Sequence, residues 1–284
     1  MATIEQIEPG EGRTVLVFAP HADDGSIFAG GTLALMADAG WRVVVVRVTN
    51  DALDSVGVPR DETIRLNTIQ MHEAMAHLGV TEFVELGYET DVLGDVSEVE
   101  LRERVIRLYR EYRPYAVLSF DPFGMFHENN QDHFKVAYAV DEAFWTAMFD
   151  KHHPEHFADG LETHGVFERW YFARRLVEVT TVIDISSVIE RKVAAVAGHE
   201  LCMRNMVHQI MLQAKTGQVE LPAVARALHG PLEPFIDHLV RAGSAATGER
   251  HALHYAEEFR VVRFGGMGSV LAEYEEAAGP AQPV

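Results

Sequence analysis

The chain has 284 residues, 48% of them hydrophobic, and carries 24 Lys and Arg against 43 Asp and Glu, a formal net charge of −19. Such a field repels phosphate backbones and anionic membranes, so no nucleic-acid or membrane partner is expected and a small-molecule ligand is. The single cysteine, Cys202, excludes an intramolecular disulfide and a thiolate cluster, leaving histidine and carboxylate as the ligands for any metal.

The N-terminal segment is acidic and polar, and no later stretch approaches the roughly 18–20 apolar residues of a membrane span, so a cytoplasmic protein is expected. Thr14 to Ala19 is a β-branched run too short for a helix; it ends at Pro20, and helical spacing follows from about Ser26 to Asp38. Gly40 stops that helix, and Arg42 to Val48 reads as a strand buried on both faces. A helix from about Asp61 to Leu78, a strand at Phe83 to Leu86, a helix marked by Leu101, Val105, Leu108, Tyr109 and Tyr112, and a strand at Ala116 to Phe120 continue the alternation.

This alternation predicts an α/β fold: a Rossmann-like, mostly parallel sheet with helices on both faces and ligand sites at the carboxyl ends of the strands. Further on, a helix to about Phe149, a His/Glu-rich loop from Lys151 to Gly165, strands at Trp170 to Phe172 and Thr180 to Ile185, and a long helix through about Lys215 are expected. No repeat or linker divides the chain, so one domain over residues 1–284 is expected, less regular from about residue 200. Trp41, Trp145 and Trp170 are expected in the core or a pocket wall, and His152, His153, His156 and His164 in solvent.

Two clusters carry chemistry. Pro20-His21-Ala22-Asp23-Asp24 follows the first strand and precedes Gly30-Gly31-Thr32 in the next helix. Adjacent carboxylates repel unless a cation or proton intervenes, and a divalent ion held by His21 and Asp24 supplies that compensation. Asp23 then stands beside it as a general base. The plainer reading has both aspartates capping the helix near Ser26.

The second cluster, Asp121 to His133, follows the fourth strand, and His133 at a helix start offers a third ligand. Three protein ligands leave a position open, as in catalytic zinc sites. Here the plainer reading is an exposed loop whose Asp132 caps a helix. A dinucleotide site is disfavoured, because Gly25, Gly30 and Gly31 lack the G-x-G-x-x-G spacing.

At these residues the sequence resembles the PIG-L/LmbE-like family of zinc-dependent N-acetylglucosaminyl deacetylases. Pro20 to Asp24 with Gly30-Gly31-Thr32 is similar to the family's His-Pro-Asp-Asp-Glu and Gly-Gly-Thr, and Asn130-Gln131-Asp132-His133 to its His-Pro-Asp-His. Thr49-Asn50-Asp51, Glu73 to Val80, and the later VIDISSVIERKVAAVAGHE and YAEEFRVVR also resemble family segments. The resemblance implies one zinc per chain on His21, Asp24 and His133, with Asp23 as base and Asp132 behind His133 or a neighbouring imidazole. It also makes Arg65 and Asn50 candidate substrate contacts.

Asn130 departs from the pattern, where the family's histidine protonates the leaving amine or stabilises the oxyanion. Asn donates a hydrogen bond but shuttles no proton, and His127 is the candidate replacement. The implied reaction is removal of an N-acetyl group from an amino sugar or related small amide. A 4-oxalomesaconate hydratase-like lyase and a non-catalytic binding member are the competing readings, and the family's habits leave a homo-oligomer open.

Overall fold

A computed structural model describes residues 2–124 and 126–278 and opens with a short strand, β1 (Thr3–Glu5), that sequence patterning does not reveal. The next strand, β2 (Thr14–Ala19), is buried throughout and alternates its side chains between two cores. Val15, Val17 and Ala19 enter one, Leu16 and Phe18 the other. The valine run of β3 (Arg42–Thr49) divides in the same way, which is why it shows no polar alternation.

Helices α1 (Asp24–Asp38) and α2 (Arg60–His77) connect β2, β3 and β4 (Glu82–Tyr88). Then α3 (Glu98–Tyr112) leads to β5 (Ala116–Phe120), and α4 (Gln131–Thr146) and the short α5 (Glu155–Ala158) lead to β6 (Glu168–Phe172) and β7 (Thr181–Asp184). The first core is closed mainly by α1, α2 and later helices, the second by α3 and α4, so both sheet faces are covered.

From β7 onward the chain departs from expectation. The long helix foreseen through Lys215 is broken at His199 into α6 (Ile189–Gly198) and α7 (Glu200–Gly217). A Cβ on Gly198 would stand 3.1 Å from Ala74 Cβ, so the end of α6 is pressed against α2 where the chain turns. The portion expected to be less regular from about residue 200 comprises α7, α8 (Pro222–His229), α9 (Glu233–Glu249), β8 (Ala256–Arg263) and α10 (Gly268–Ala278).

The sheet order is β1-β7-β8-β6-β5-β2-β3-β4, and all pairings are parallel except those of β8 with β6 and β7. Strands β3 and β4 are laid down on one side of β2 and β5 on the other. The sheet therefore reverses its direction of growth between β2 and β5, where a crevice opens in folds of this kind.

Gly30-Gly31-Thr32 is a packing device. A Cβ on Gly31 would lie 2.6 Å from Ile185, and the N–H groups of Gly31 and Thr32 donate to the Glu257 carboxylate of β8 at 2.9 and 2.8 Å. Lys192 Nζ completes this buried cluster, 2.7 Å from Glu257 Oε1.

Two side-chain expectations are corrected. Trp145 is exposed on α4, whereas Trp41 and Trp170 are buried. His156 is fully buried, its Nδ1 3.1 Å from Arg110 Nη1 and its Nε2 2.8 Å from Glu103, because α5 folds the histidine-rich loop back onto α3. Among the described residues no helix is long and apolar enough to cross a membrane.

Candidate metal centre

The crevice between β2 and β5 is occupied by the two clusters. After β2 the chain turns sharply, and Pro20 O accepts from both N and Oγ1 of Thr49 at the end of β3. The His21 backbone N–H donates to Asp24 Oδ2 at 2.8 Å and that of Ala22 to Asp51 Oδ2 at 3.2 Å. Asp23 occupies the N-cap position of α1 yet makes no side-chain capping bond, and Asp24 is bonded to the residue three before it. Capping therefore does not explain this carboxylate pair.

On the facing side Asn130, not Asp132, caps α4: its Oδ1 accepts from Asp132 N at 2.8 Å. Asp132 is fully buried and accepts the backbone N–H groups of Asp91 and Leu93 at 2.7 and 3.3 Å. Its Oδ2 also lies 3.3 Å from His21 Nε2. His133 stacks on Phe120 with ring centroids 4.1 Å apart, and its Nδ1 meets Glu128 Oε2 at 2.7 Å.

Each imidazole thus has its outer nitrogen on a carboxylate, while the inner nitrogens face each other. His21 Nδ1 stands 3.1 Å from His133 Nε2, and the Asp24 carboxylate oxygens stand 3.6 Å from the former and 3.5 Å from the latter. Tetrahedral zinc with ligand distances of about 2.0–2.1 Å separates its donors by roughly 3.3 Å. All three side chains are buried, and their donors converge closely enough for one divalent cation.

Two other groupings are less suited to a cation. His153, Glu155 and His156 lie beside Arg110. His21, Asp91 and Asp132 would use the opposite His21 nitrogen and an Asp132 carboxylate already holding two backbone N–H groups.

Burial and the crowding of carboxylates and imidazoles set the protonation pattern of the cavity. Burial opposes charge on His21, but hydrogen bonds to Asp132 and Asp24 outweigh it and raise its pKa well above the usual imidazole value. Burial, reinforced by Asp24 and Asp54, pushes Asp23 well above the carboxylate range. Asp51, also buried, is raised to about 7. Asp24 is held low because His133 and His21 overcome its burial. A divalent cation would take over the charge compensation that protons otherwise provide.

The centre opens into a cavity of about 1470 Å³, larger than most small-ligand pockets. Asp23, Asn130 and His127 line it beside the three donors. His127 is exposed and has a left-handed backbone, φ 62°.

Arg65 and Asn50 are not among the cavity's lining residues. Arg65 lies on the solvent face of α2, paired with Glu62 at 2.7 Å. Asn50 ties its own loop together through Glu89, Ala52 N and Thr90. The residue after it, Asp51, is the one that reaches the centre, fully buried with φ 54°.

Sequence reasoning missed Asp51 and Glu128. Asp51 had a local signal, a carboxylate two residues beyond the end of a buried strand; Glu128, five residues before His133 in an irregular loop, had none.

The family model described as "PIG-L: GlcNAc-PI de-N-acetylase" matches residues 16–144. A 1D-myo-inositol 2-acetamido-2-deoxy-alpha-D-glucopyranoside deacetylase from Acidothermus cellulolyticus is 27% identical over 66% of this chain and 78% of its own length. The fold resembles that of N,N'-diacetylchitobiose deacetylase from Pyrococcus horikoshii, with TM-score 0.72, 21% identity, and 90% of this chain and 85% of the other covered. It also resembles a 4-carboxy-2-hydroxymuconate hydratase from Pseudomonas putida, with TM-score 0.61, 19% identity, and 88% and 96% covered. The match over residues 16–144 takes in His21, Asp23, Asp24, Asp51, Glu128, Asp132 and His133, the side chains that build the centre.

Proposed function

We propose that this chain is a zinc-dependent deacetylase that hydrolyses the N-acyl group of an amino sugar or a related small amide. The observation that carries the reading is the convergence of two imidazole nitrogens and one carboxylate, beside a cavity-facing Asp23 that makes no capping bond. Two nitrogens and an oxygen suit zinc, leaving a coordination position open. A divalent cation bound there polarises a carbonyl and lowers the pKa of a water in its shell.

The chain's own residues supply the rest. His21, Asp24 and His133 would hold the cation. Asp23, whose side chain lines the cavity, would take a proton from the attacking water and pass it to the departing nitrogen as the C–N bond breaks. Asn130 spends its Oδ1 on the α4 cap, and its side-chain NH₂ is left to donate to the developing oxyanion. His127, at the cavity wall, is the alternative proton donor.

Acetate release from a panel of N-acetylated amino sugars and small amides, with zinc-reconstituted protein and its Asp23→Asn variant, tests the reading. Release that falls by at least about 100-fold in the variant, the scale of a lost general base, supports it. Absence of release alongside consumption of an enoate chromophore would replace it with water addition to a carbon–carbon double bond.

A further inference from the structure

Asp132 is the neighbour of His133 in sequence, yet its carboxylate serves His21. His133 is served instead by Glu128, whose side chain is only 2% exposed although it belongs to an irregular loop. Oε2 of Glu128 lies 2.7 Å from His133 Nδ1, and Oε1 accepts the N–H groups of Asn129 and Asn130, each at 2.9 Å. Arg174 Nε, from the segment after β6, donates to Oε2 at 3.1 Å. Both carboxylate oxygens of Glu128 are thereby engaged.

We propose that Glu128 is a positioning residue that acts through His133: it accepts the Nδ1–H, leaves Nε2 bare towards His21 and Asp24, and fixes the ring plane together with Phe120. Arg174 anchors Glu128 from the cavity wall, where its side chain is half exposed. The assignment rests on the metal reading of the site. A carboxylate on the outer nitrogen of a ligating imidazole raises the ring's basicity and removes its freedom to flip, and losing such a partner typically costs about 10- to 100-fold in metal affinity.

Zinc affinity measured by competition with a chromophoric chelator, and the visible spectrum of the cobalt-loaded protein, test this without any substrate. Glu128→Ala should bind zinc about 10- to 100-fold more weakly and shift the cobalt bands. Glu128→Gln keeps an oxygen acceptor and should recover part of the loss. Arg174→Ala should weaken zinc binding in the same direction but by less than Glu128→Ala.

Zinc affinity within twofold of the parent, with an unchanged cobalt spectrum, in folded Glu128→Ala overturns the assignment alone. Should that variant not fold, the same parity in Glu128→Leu, which fills the space but offers His133 no acceptor, overturns it. Failure of the parent to take up either ion overturns the metal reading and this assignment together.

Discussion

His21 Nδ1 and His133 Nε2 face each other at 3.1 Å although 112 residues separate them in the chain. At that distance the two nitrogens either share one proton or accept a common cation; two N–H groups would clash. The outer nitrogens lie on Asp132 and Glu128, so in the neutral tautomers those carboxylates favour, both inner nitrogens are bare. Together with Asp24 they form a concave donor set.

The donor set should bind one divalent ion per chain. Equilibrium dialysis against zinc should show that stoichiometry, and His133→Ala and Asp24→Ala should each weaken binding by at least about tenfold. At a free zinc concentration 100 times the dissociation constant, linkage stabilises the fold by about 2.7 kcal/mol. Unchanged stoichiometry and affinity in both variants would remove these residues from the centre.

Asp51 should be needed for the turn that carries His21. Its buried carboxylate accepts the Ala22 N–H and Arg47 Nη1, the latter at 3.2 Å, while its own backbone is left-handed. Alanine removes both acceptors and the tolerance for positive φ, so Asp51→Ala should cost about 3 kcal/mol in denaturant unfolding. Asp51→Asn keeps an acceptor oxygen and that backbone tolerance, and should cost less. Equal losses in the two variants would mean that the hydrogen bond to the turn does not matter.

His156 should make the fold acid-sensitive. Burial, aided by Arg107 and Arg110, holds its pKa below the ordinary imidazole value against the opposing bond to Glu103. The unfolded chain therefore takes the proton first. The stabilising contribution is complete above the unfolded value of about 6.5 and is lost as pH falls through it towards the lower folded value. Between pH 7.5 and 5.5, in chelator to empty the metal centre, His156→Gln should lose less stability than the parent. A parallel decline in both proteins would show that His156 does not titrate on unfolding.

The β2–α1–β3 unit and the strand at Ala116–Phe120 were legible in the sequence because apolar periodicity and breakers such as Pro20 and Gly40 act over a few residues. The same locality explains the failures. The spacing of α2 locates a helix but not the azimuth that turns Arg65 to solvent while Asn67 is buried and donates to Asp51 O at 3.2 Å. Nor does an antiparallel β8 between β6 and β7 follow from strand–helix alternation, because its neighbours come from distant parts of the chain.

The sequence by itself determined the chemistry available: with one cysteine, a metal here must use histidine and carboxylate, and His21, Asp23, Asp24 and His133 stand at the ends of two recognisable strands. Only the tertiary structure decided how those groups are paired. Asp132 reaches across to His21, Glu128 takes His133, and Asp51 rather than Asn50 supports the turn. Such pairings are set by the packing of loops from separate strands over one crevice, with each buried polar group driven to find a partner there, and short-range sequence spacing does not encode that geometry.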